Sequence, residues 1–150
     1  MSRVVLDASV AAKWLLPSAG EPFSQNALRL LDGYVNREIE ILIPDLFWAE
    51  IGNVLWRAAR TGRCTAEQAR IGLEKVTAQK FATVSSRSLL HSAFEIASAS
   101  GRAIYDCLYI ALAEASRTEF LTADEKLANA MGARYPVKWL GALYNHRSDG

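Results

Sequence analysis

The chain has 150 residues, of which 51% are hydrophobic and 22% are charged, and its formal net charge is +1. A chain of this length suits one domain with one core, and its composition excludes a largely disordered protein. The net charge gives no global electrostatic reason for nucleic-acid binding, so such a contact would need a local patch.

The alternation of apolar patterns predicts strands and helices in turn. In chain order, the first half has a strand at 3–7, helices at 8–16 and 23–37, a strand at 39–43, and helices at 45–60 and 65–78. The second half has a strand at 81–86, helices at 88–100 and 103–114, a strand at 118–122, a helix at 123–132 and a strand around 137–140. This order predicts an α/β domain with a mostly parallel sheet, over residues 1–144, followed by a tail at 145–150.

The cysteines and the N-terminal segment bear on location. Cys64 and Cys107 form no C-x-x-C pair, which favours reduced packing thiols. Asp7 and Lys13 interrupt an N-terminal stretch that otherwise resembles a secretory signal. No apolar run approaches the roughly 20 residues that a membrane span needs. We therefore expect a cytoplasmic protein with no membrane contact.

Four acids lie near junctions between strands and helices. Asp7 closes the first strand, Glu50 lies in the helix after the second, and Asp124 follows the strand at 118–122. Asp106 lies in the first turn of a helix that is apolar almost all the way round, and an unpaired charge in a buried helix is costly. Because ligands bind at the carboxyl ends of the strands in such sheets, we expect these four acids to converge on one edge.

Each acid also has a structural explanation. Asp7 can cap a helix, and the helix dipole favours Asp106 in a first turn. The sequence "TADE" at 122–125 matches a capping box with Thr122 as the cap. Glu50 lies on a polar stripe that resembles a solvated helix face.

Taken together, the four acids favour a metal site. Two carboxylates about 4 Å apart repel by roughly 4 kcal/mol at the dielectric typical of a protein surface. No lysine or arginine is spaced to neutralise all four, whereas Mg²⁺ and Mn²⁺ prefer carboxylate and water ligands. Zinc is disfavoured because His91 and His146 are isolated.

Four segments in this order resemble the PIN-domain family, and specifically the VapC-type toxins of toxin–antitoxin pairs. They are "VVLDASV", "IPDLFWAEIGNVL", "AIYDCLYIALAE" and "FLTADEKL", and they span nearly the whole chain. The resemblance implies a parallel sheet of about five strands between helices. It also implies a Mg²⁺- or Mn²⁺-dependent endoribonuclease, a homodimer, and a small antitoxin whose helical or extended segment covers the acidic site.

The resemblance also implies roles for individual residues. The acids that would bind one or two metal ions and serve catalysis are Asp7, Glu50, Asp106 and Asp124. Ser9 and Thr122 would orient these ligands from behind, and Asn53 matches a polar position one helical turn after Glu50. Glu125 is the alternative for the fourth acid.

Candidate RNA contacts are basic residues near the predicted site: Lys13, Arg57, Arg60 and Arg63. The alternative is a solvated helix end, or, for Arg57, an ion pair with Glu50. The four tryptophans are core candidates, and an exposed one would suit a dimer or antitoxin contact. The alternative function is a PIN-like module that binds RNA or protein without cutting, and the intact quartet argues against it.

Overall fold

The computed structural model describes residues 1–18 and 21–143, so the predicted tail at 145–150 lies outside the described residues. The strands are β1 (Ser2–Leu6), β2 (Ile39–Pro44), β3 (Ala82–Val84), β4 (Phe120–Thr122) and β5 (Val137–Trp139). The helices are α1 (Ala8–Leu15), α2 (Ser24–Val35), α3 (Leu46–Arg60), α4 (Ala66–Thr77), α5 (Ser86–Ser100), α6 (Ile104–Ala115) and α7 (Glu125–Met131). Among these described residues, no helix is long and apolar enough to cross a membrane.

The five strands form one sheet in the order β3-β2-β1-β4-β5, and every neighbouring pair is parallel. The prediction of an α/β domain with a parallel sheet of about five strands is therefore confirmed. The predicted elements are all present, with ends shifted by a few residues. Such shifts are expected because the terminal residues of an element have few partners.

The strand order reverses beside β1. From β1 the chain moves outward to β2 and β3, then returns to the other side of β1 to form β4 and β5. Right-handed crossovers place α1 to α4 on one face of the sheet and α5 to α7 on the other. The packing agrees, because α1 contacts α2, α3 and α4, whereas α5 packs against α6. The reversal creates a crevice between the carboxyl ends of β1 and β4, where ligands bind in such sheets.

Helix α6 is the most buried helix of the fold. Residues 107–113 are all buried, as expected for a helix that is apolar on every side. The helix packs against β1, β2 and β4. Gly101 takes a φ of 76° at the end of α5, a left-handed conformation that glycine adopts without steric cost, and the chain then turns into α6. Asp106, in the first turn, is thereby brought to the carboxyl edge of the sheet.

Candidate active site

The four predicted acids line a single cavity of about 240 Å³. Its walls carry Asp7, Ser9, Glu50, Asn53, Asp106, Tyr109 and Asp124. These residues come from β1 and its following turn, α3, α6 and the β4–α7 junction. A larger hollow, of about 490 Å³ beside β2, contains one acid, Glu40. Size therefore does not identify the site, whereas the convergence of acids from separate elements does.

Asp7 lies at the centre of a network of hydrogen bonds. As the N-cap of α1, its Oδ1 accepts hydrogen bonds from the backbone N–H of Ser9, at 3.1 Å, and from the Ser9 hydroxyl. Its Oδ2 accepts from the Thr122 hydroxyl at 2.8 Å. Strands β1 and β4 pair Leu6 with Leu121, so the next residues on the two strands, Asp7 and Thr122, become neighbours. The parallel register thus places a hydroxyl donor behind the carboxylate.

Ser9 and Thr122 also fix the segment that carries Asp124. The Ser9 hydroxyl accepts from the backbone N–H of Ala123 at 3.0 Å, and the Thr122 hydroxyl accepts from that of Asp124 at 3.1 Å. Each hydroxyl therefore accepts one hydrogen bond from the β4–α7 turn and donates one to Asp7. This is the arrangement expected of groups that orient a ligand from behind.

The capping box predicted at 122–125 does not form. Asp124, not Thr122, is the N-cap of α7, and its Oδ1 accepts from the backbone N–H of Leu127 at 3.1 Å. The Thr122 side chain is drawn away by Asp7, a partner 115 residues earlier in the chain. Glu125 lies exposed in the first turn of α7, whereas Asp124 lines the cavity.

Glu50 is brought to the cavity by α3 and Asp106 by α6, from opposite faces of the sheet. Glu50 accepts a hydrogen bond at Oε1 from the Tyr109 hydroxyl at 2.5 Å. Tyr109 lies one helical turn after Asp106 and also lines the cavity. The sequence placed Tyr109 on the same helix face as Asp106, but nothing in the spacing identified its partner in α3. Asn53, three residues after Glu50, also lines the cavity.

Burial raises the pKa values of Asp7, Glu50 and Asp106, and the charges of neighbouring carboxylates add to the effect. Burial raises the pKa of Asp7 to about 6, although the hydrogen bonds from Ser9 and Thr122 act in the opposite direction. Burial likewise raises the pKa of Glu50, and the charge of Asp106 adds to the effect. Burial and the charge of Asp124 raise the pKa of Asp106. Ionised together, these carboxylates would make a strongly negative cavity.

Neighbouring cations compensate little of this negative charge. The side-chain ion pairs found among the described residues involve none of the four acids. Arg102, at the entrance to α6, lowers the pKa of Asp106, and it donates a hydrogen bond to the carbonyl of Lys126 at 3.2 Å. Arg102 lies in a loop without periodicity, so no sequence pattern pointed to it.

The donor chemistry fits a hard divalent cation, since carboxylate oxygens are preferred ligands of Mg²⁺ and Mn²⁺. Over residues 1–18 and 21–143, no three acidic, histidine or cysteine side chains are grouped to hold a metal ion as they stand. The residues therefore fit such a cation by charge and donor type, and the carboxylates would have to move closer together to enclose it.

The predicted basic contacts separate into two groups. Lys13 is buried and donates to Glu21 at 3.1 Å, so its ammonium group lies in an ion pair and not on the surface. Arg63 also pairs with Glu21 but remains half-exposed. Arg57 and Arg63 line a hollow that shares Val54 with the acidic cavity. The structure contains no Glu50–Arg57 ion pair among its described residues.

The tryptophans also fall into two groups, those that pack against the protein interior and one that is exposed. The Trp14 indole donates to the carbonyl of Ala27 at 2.7 Å, and Trp48 stacks on Phe81. By contrast, the Trp56 side chain is 56% exposed, and the Arg60 guanidinium lies 5.2 Å from its ring centre. Trp56 is therefore a surface residue of α3.

Known proteins share this fold and parts of this sequence. Ribonuclease VapC3 of Pyrobaculum aerophilum is 32% identical over 133 residues, which cover 87% of this chain and 96% of that protein. The crystal structure of PAE2754 from Pyrobaculum aerophilum matches with a TM-score of 0.68 at 24% identity, over 95% of this chain and 86% of that chain.

Two further structures share the fold at lower identity. A toxin–antitoxin complex from Klebsiella pneumoniae contains a chain with a TM-score of 0.57 at 15% identity, over 90% of this chain and 95% of that chain. The crystal structure of VapBC2 from Rickettsia felis, bound to a DNA fragment from its promoter, matches with a TM-score of 0.59 at 14% identity, over 91% of this chain and 98% of that chain. The model of the PIN domain family matches residues 4–132. The chain therefore belongs to the PIN domain family.

Proposed function

We propose that this chain is a metal-dependent endoribonuclease and the toxin component of a toxin–antitoxin pair. The observation that carries the proposal is the convergence of Asp7, Glu50, Asp106 and Asp124 on one cavity without a compensating ion pair among the described residues. The relative named Ribonuclease VapC3 and the solved toxin–antitoxin complex support the activity and the pairing. Each acid is supplied by a different element, so the cavity depends on the whole fold.

The chemistry is hydrolysis of an RNA phosphodiester by an activated water. When bound, Mg²⁺ or Mn²⁺ lowers the pKa of a coordinated water and offsets the charge that develops on the phosphate. Ser9 and Thr122 orient the carboxylate of Asp7, and the four acids would hold the ion. The sequence shows no histidine–serine or cysteine–histidine nucleophile set, which disfavours covalent catalysis.

RNA approaches across the surface that carries Arg57. The hollow lined by Arg57 and Arg63 adjoins the acidic cavity at Val54, so a phosphate bound there would lie next to the cleaved bond. Arg57 is exposed, whereas Arg63 shares its charge with Glu21. Arg60 extends the basic surface along α3. Single-stranded RNA suits this path because its backbone can bend toward the carboxylates.

An antitoxin protein would inhibit the enzyme by covering the acidic cavity. The exposed ring of Trp56 and the exposed side chain of Leu73, in the same hollow between α3 and α4, offer an apolar surface to such a partner. Arg60 and Arg70 flank this surface and favour a partner segment that carries acidic side chains beside apolar ones. We also propose a homodimer and a cytoplasmic location, where RNA substrates are present.

The decisive experiment compares three purified proteins on cellular RNA with Mg²⁺ or Mn²⁺: the wild type, Asp7→Asn and Asp32→Asn. Asp32 is an exposed acid of α2, so it controls for the loss of one negative charge. Cleavage at discrete sites by the wild type and Asp32→Asn is expected, with a reduction of at least about 1000-fold in Asp7→Asn. Equal cleavage by all three would assign the activity to a contaminant. RNA binding without cleavage would instead indicate a binding module.

A further inference from the structure

Tyr109 has the geometry of a residue that holds a catalytic carboxylate in place. Its side chain is 2% exposed, and its hydroxyl donates to Oε1 of Glu50 at 2.5 Å. Among the described residues, this hydroxyl is the single hydrogen-bond partner found for the Glu50 carboxylate. Tyr109 belongs to α6 and Glu50 to α3, so the bond joins two helices from opposite faces of the sheet.

The direction of this hydrogen bond is fixed by its surroundings. Burial raises the pKa of the Tyr109 phenol, and the negative charges of Glu50, Asp7 and Asp106 raise it further. The phenol therefore remains protonated, and its one hydrogen points to Glu50. In return, the bond lowers the pKa of Glu50 against the effect of burial. Glu50 thus has one carboxylate oxygen engaged by the protein, and no hydrogen bond to its other oxygen occurs among the described residues.

The aromatic ring of Tyr109 is fixed as well. It stacks on the Phe120 ring with a centroid distance of 5.1 Å and an interplanar angle of 14°. Phe120 is fully buried in β4, two residues before Thr122, which holds Asp7. The hydroxyl therefore belongs to a side chain that cannot swing away without disturbing the core. This rigidity distinguishes the contact from a solvent-exposed hydrogen bond.

We propose that Tyr109 is a positioning residue, which holds Glu50 by one carboxylate oxygen so that the other is free to bind the divalent cation. The inference rests on the proposed function. The hydrogen bond between Tyr109 and Glu50 would set the distance between the α3 and α6 sides of the cavity. Tyr109 itself would contact neither the RNA nor the reacting atoms. Without the hydroxyl, Glu50 would be free to rotate away from the other three acids.

The test is Tyr109→Phe, which removes the hydroxyl and keeps the ring. The matched control is Tyr34→Phe, because Tyr34 also packs on a phenylalanine, Phe81 at 5.1 Å, but lies outside the acidic cavity. Mn²⁺ binding is measured without RNA, by electron paramagnetic resonance, and folding by near-ultraviolet circular dichroism. We expect Tyr109→Phe to fold and to bind Mn²⁺ about 10- to 100-fold more weakly, and Tyr34→Phe to match the wild type.

A double-mutant cycle separates positioning from packing. If Tyr109 acts through Glu50, the substitution Tyr109→Phe should have no further effect on Mn²⁺ affinity in a Glu50→Gln background. Cleavage by Tyr109→Phe should also recover as the metal concentration is raised, because the hydroxyl acts on metal affinity and not on the chemical step. An equal loss of affinity in both backgrounds would assign Tyr109 a purely structural role and overturn the inference.

The other outcomes are distinguishable. A wild type that binds no Mn²⁺ overturns the proposed metal-dependent function and this inference with it. If the wild type and a folded Tyr109→Phe variant bind Mn²⁺ equally well, only the inference about Tyr109 is overturned. If Tyr109→Phe does not fold, the tyrosine ultraviolet difference spectrum of the wild type on adding Mg²⁺ gives the answer. A change is expected because cation binding at Glu50 withdraws charge from the hydrogen-bonded oxygen, and its absence would overturn the proposal.

Discussion

The acidic cavity has two halves that the protein holds in different ways. The sheet half, formed by Asp7, Ser9, Thr122 and Asp124, is crossed by hydrogen bonds between the ends of β1 and β4. The helix half, formed by Glu50, Asp106 and Tyr109, has one such bond, from Tyr109 to Glu50. No hydrogen bond to the Asp106 carboxylate occurs within the described part of the chain.

The two halves of the cavity are therefore positioned by different parts of the fold. Parallel pairing of β1 with β4 sets the sheet half in place, because the position of the Thr122 hydroxyl follows directly from the strand register. The helix half depends on how α3 and α6 pack, and the Tyr109–Glu50 hydrogen bond joins the two helices there.

The largest expected effect is that of Asp7, in the sheet half, on the stability of the metal-free protein. The pKa of Asp7 is about 6 in the folded state, above its ordinary value of 3.8, so the folded state binds this proton more tightly than the unfolded state. The contribution of Asp7 to stability is therefore highest below pH 4, falls between pH 4 and 6, and stays low above pH 6. Asp7→Asn should raise the free energy of unfolding at pH 7 by about 1–3 kcal/mol.

Denaturant unfolding in the presence of a chelator checks this prediction. The difference between Asp7→Asn and the wild type should shrink toward zero near pH 4, where the wild-type carboxyl is protonated. A variant that is less stable than the wild type at pH 7 would show that the hydrogen bonds from Ser9 and Thr122 outweigh the burial of the charge. The sheet half would then be a source of stability instead of a strained site.

The second prediction tests whether the hydroxyls of the sheet half orient the acids. Thr122→Val keeps the side-chain shape but removes the donor to Asp7 and the acceptor for the Asp124 N–H. We expect Mn²⁺ affinity to fall about 10- to 100-fold, as for other groups that orient metal ligands. Calorimetric titration measures it, with Thr83→Val in β3 as the control. An unchanged affinity would mean that the strand register alone positions Asp7.

The smallest expected effect sharpens the role of α3. Arg57→Ala should weaken RNA binding and reduce the slope of log affinity against log salt by about 0.7, the value for one lost phosphate contact with a single strand. Binding is measured in the Asp7→Asn background to prevent cleavage, with Arg87→Ala on α5 as the control. Equal slopes for both variants would remove Arg57 from the RNA path. Mn²⁺ affinity should be unchanged by Arg57→Ala.

The sequence allowed the sheet half to be predicted more fully than the helix half. Asp7 and Thr122 lie where strands end, and the carboxyl ends of neighbouring parallel strands must meet. The hydrogen bond of Tyr109 could not be predicted, because its partner lies 59 residues away and the contact depends on the packing of two helices. The spacing did place Tyr109 on the face of Asp106, which is as far as periodicity can reach.

The prediction for Lys13 shows a second limit. Its position on α1 suggested a surface cation near the site, but Glu21, eight residues later, binds it in a buried ion pair. A helical pattern reveals which side a residue occupies but not whether a following loop covers that side. Arg63 forms an ion pair with the same glutamate, and this pair connects the loop after α3 to the segment after α1.

The hydrogen bond between Asp7 and Thr122 joins residues 115 positions apart, and it has a consequence for biosynthesis. A chain emerging from the ribosome exposes Asp7 first and Thr122 only when most of the domain has been made. Until then β1 lacks β4, and the acids contributed by Asp106 and Asp124 are also missing. A protein built this way has no complete acidic cavity until nearly the whole of its domain has been translated.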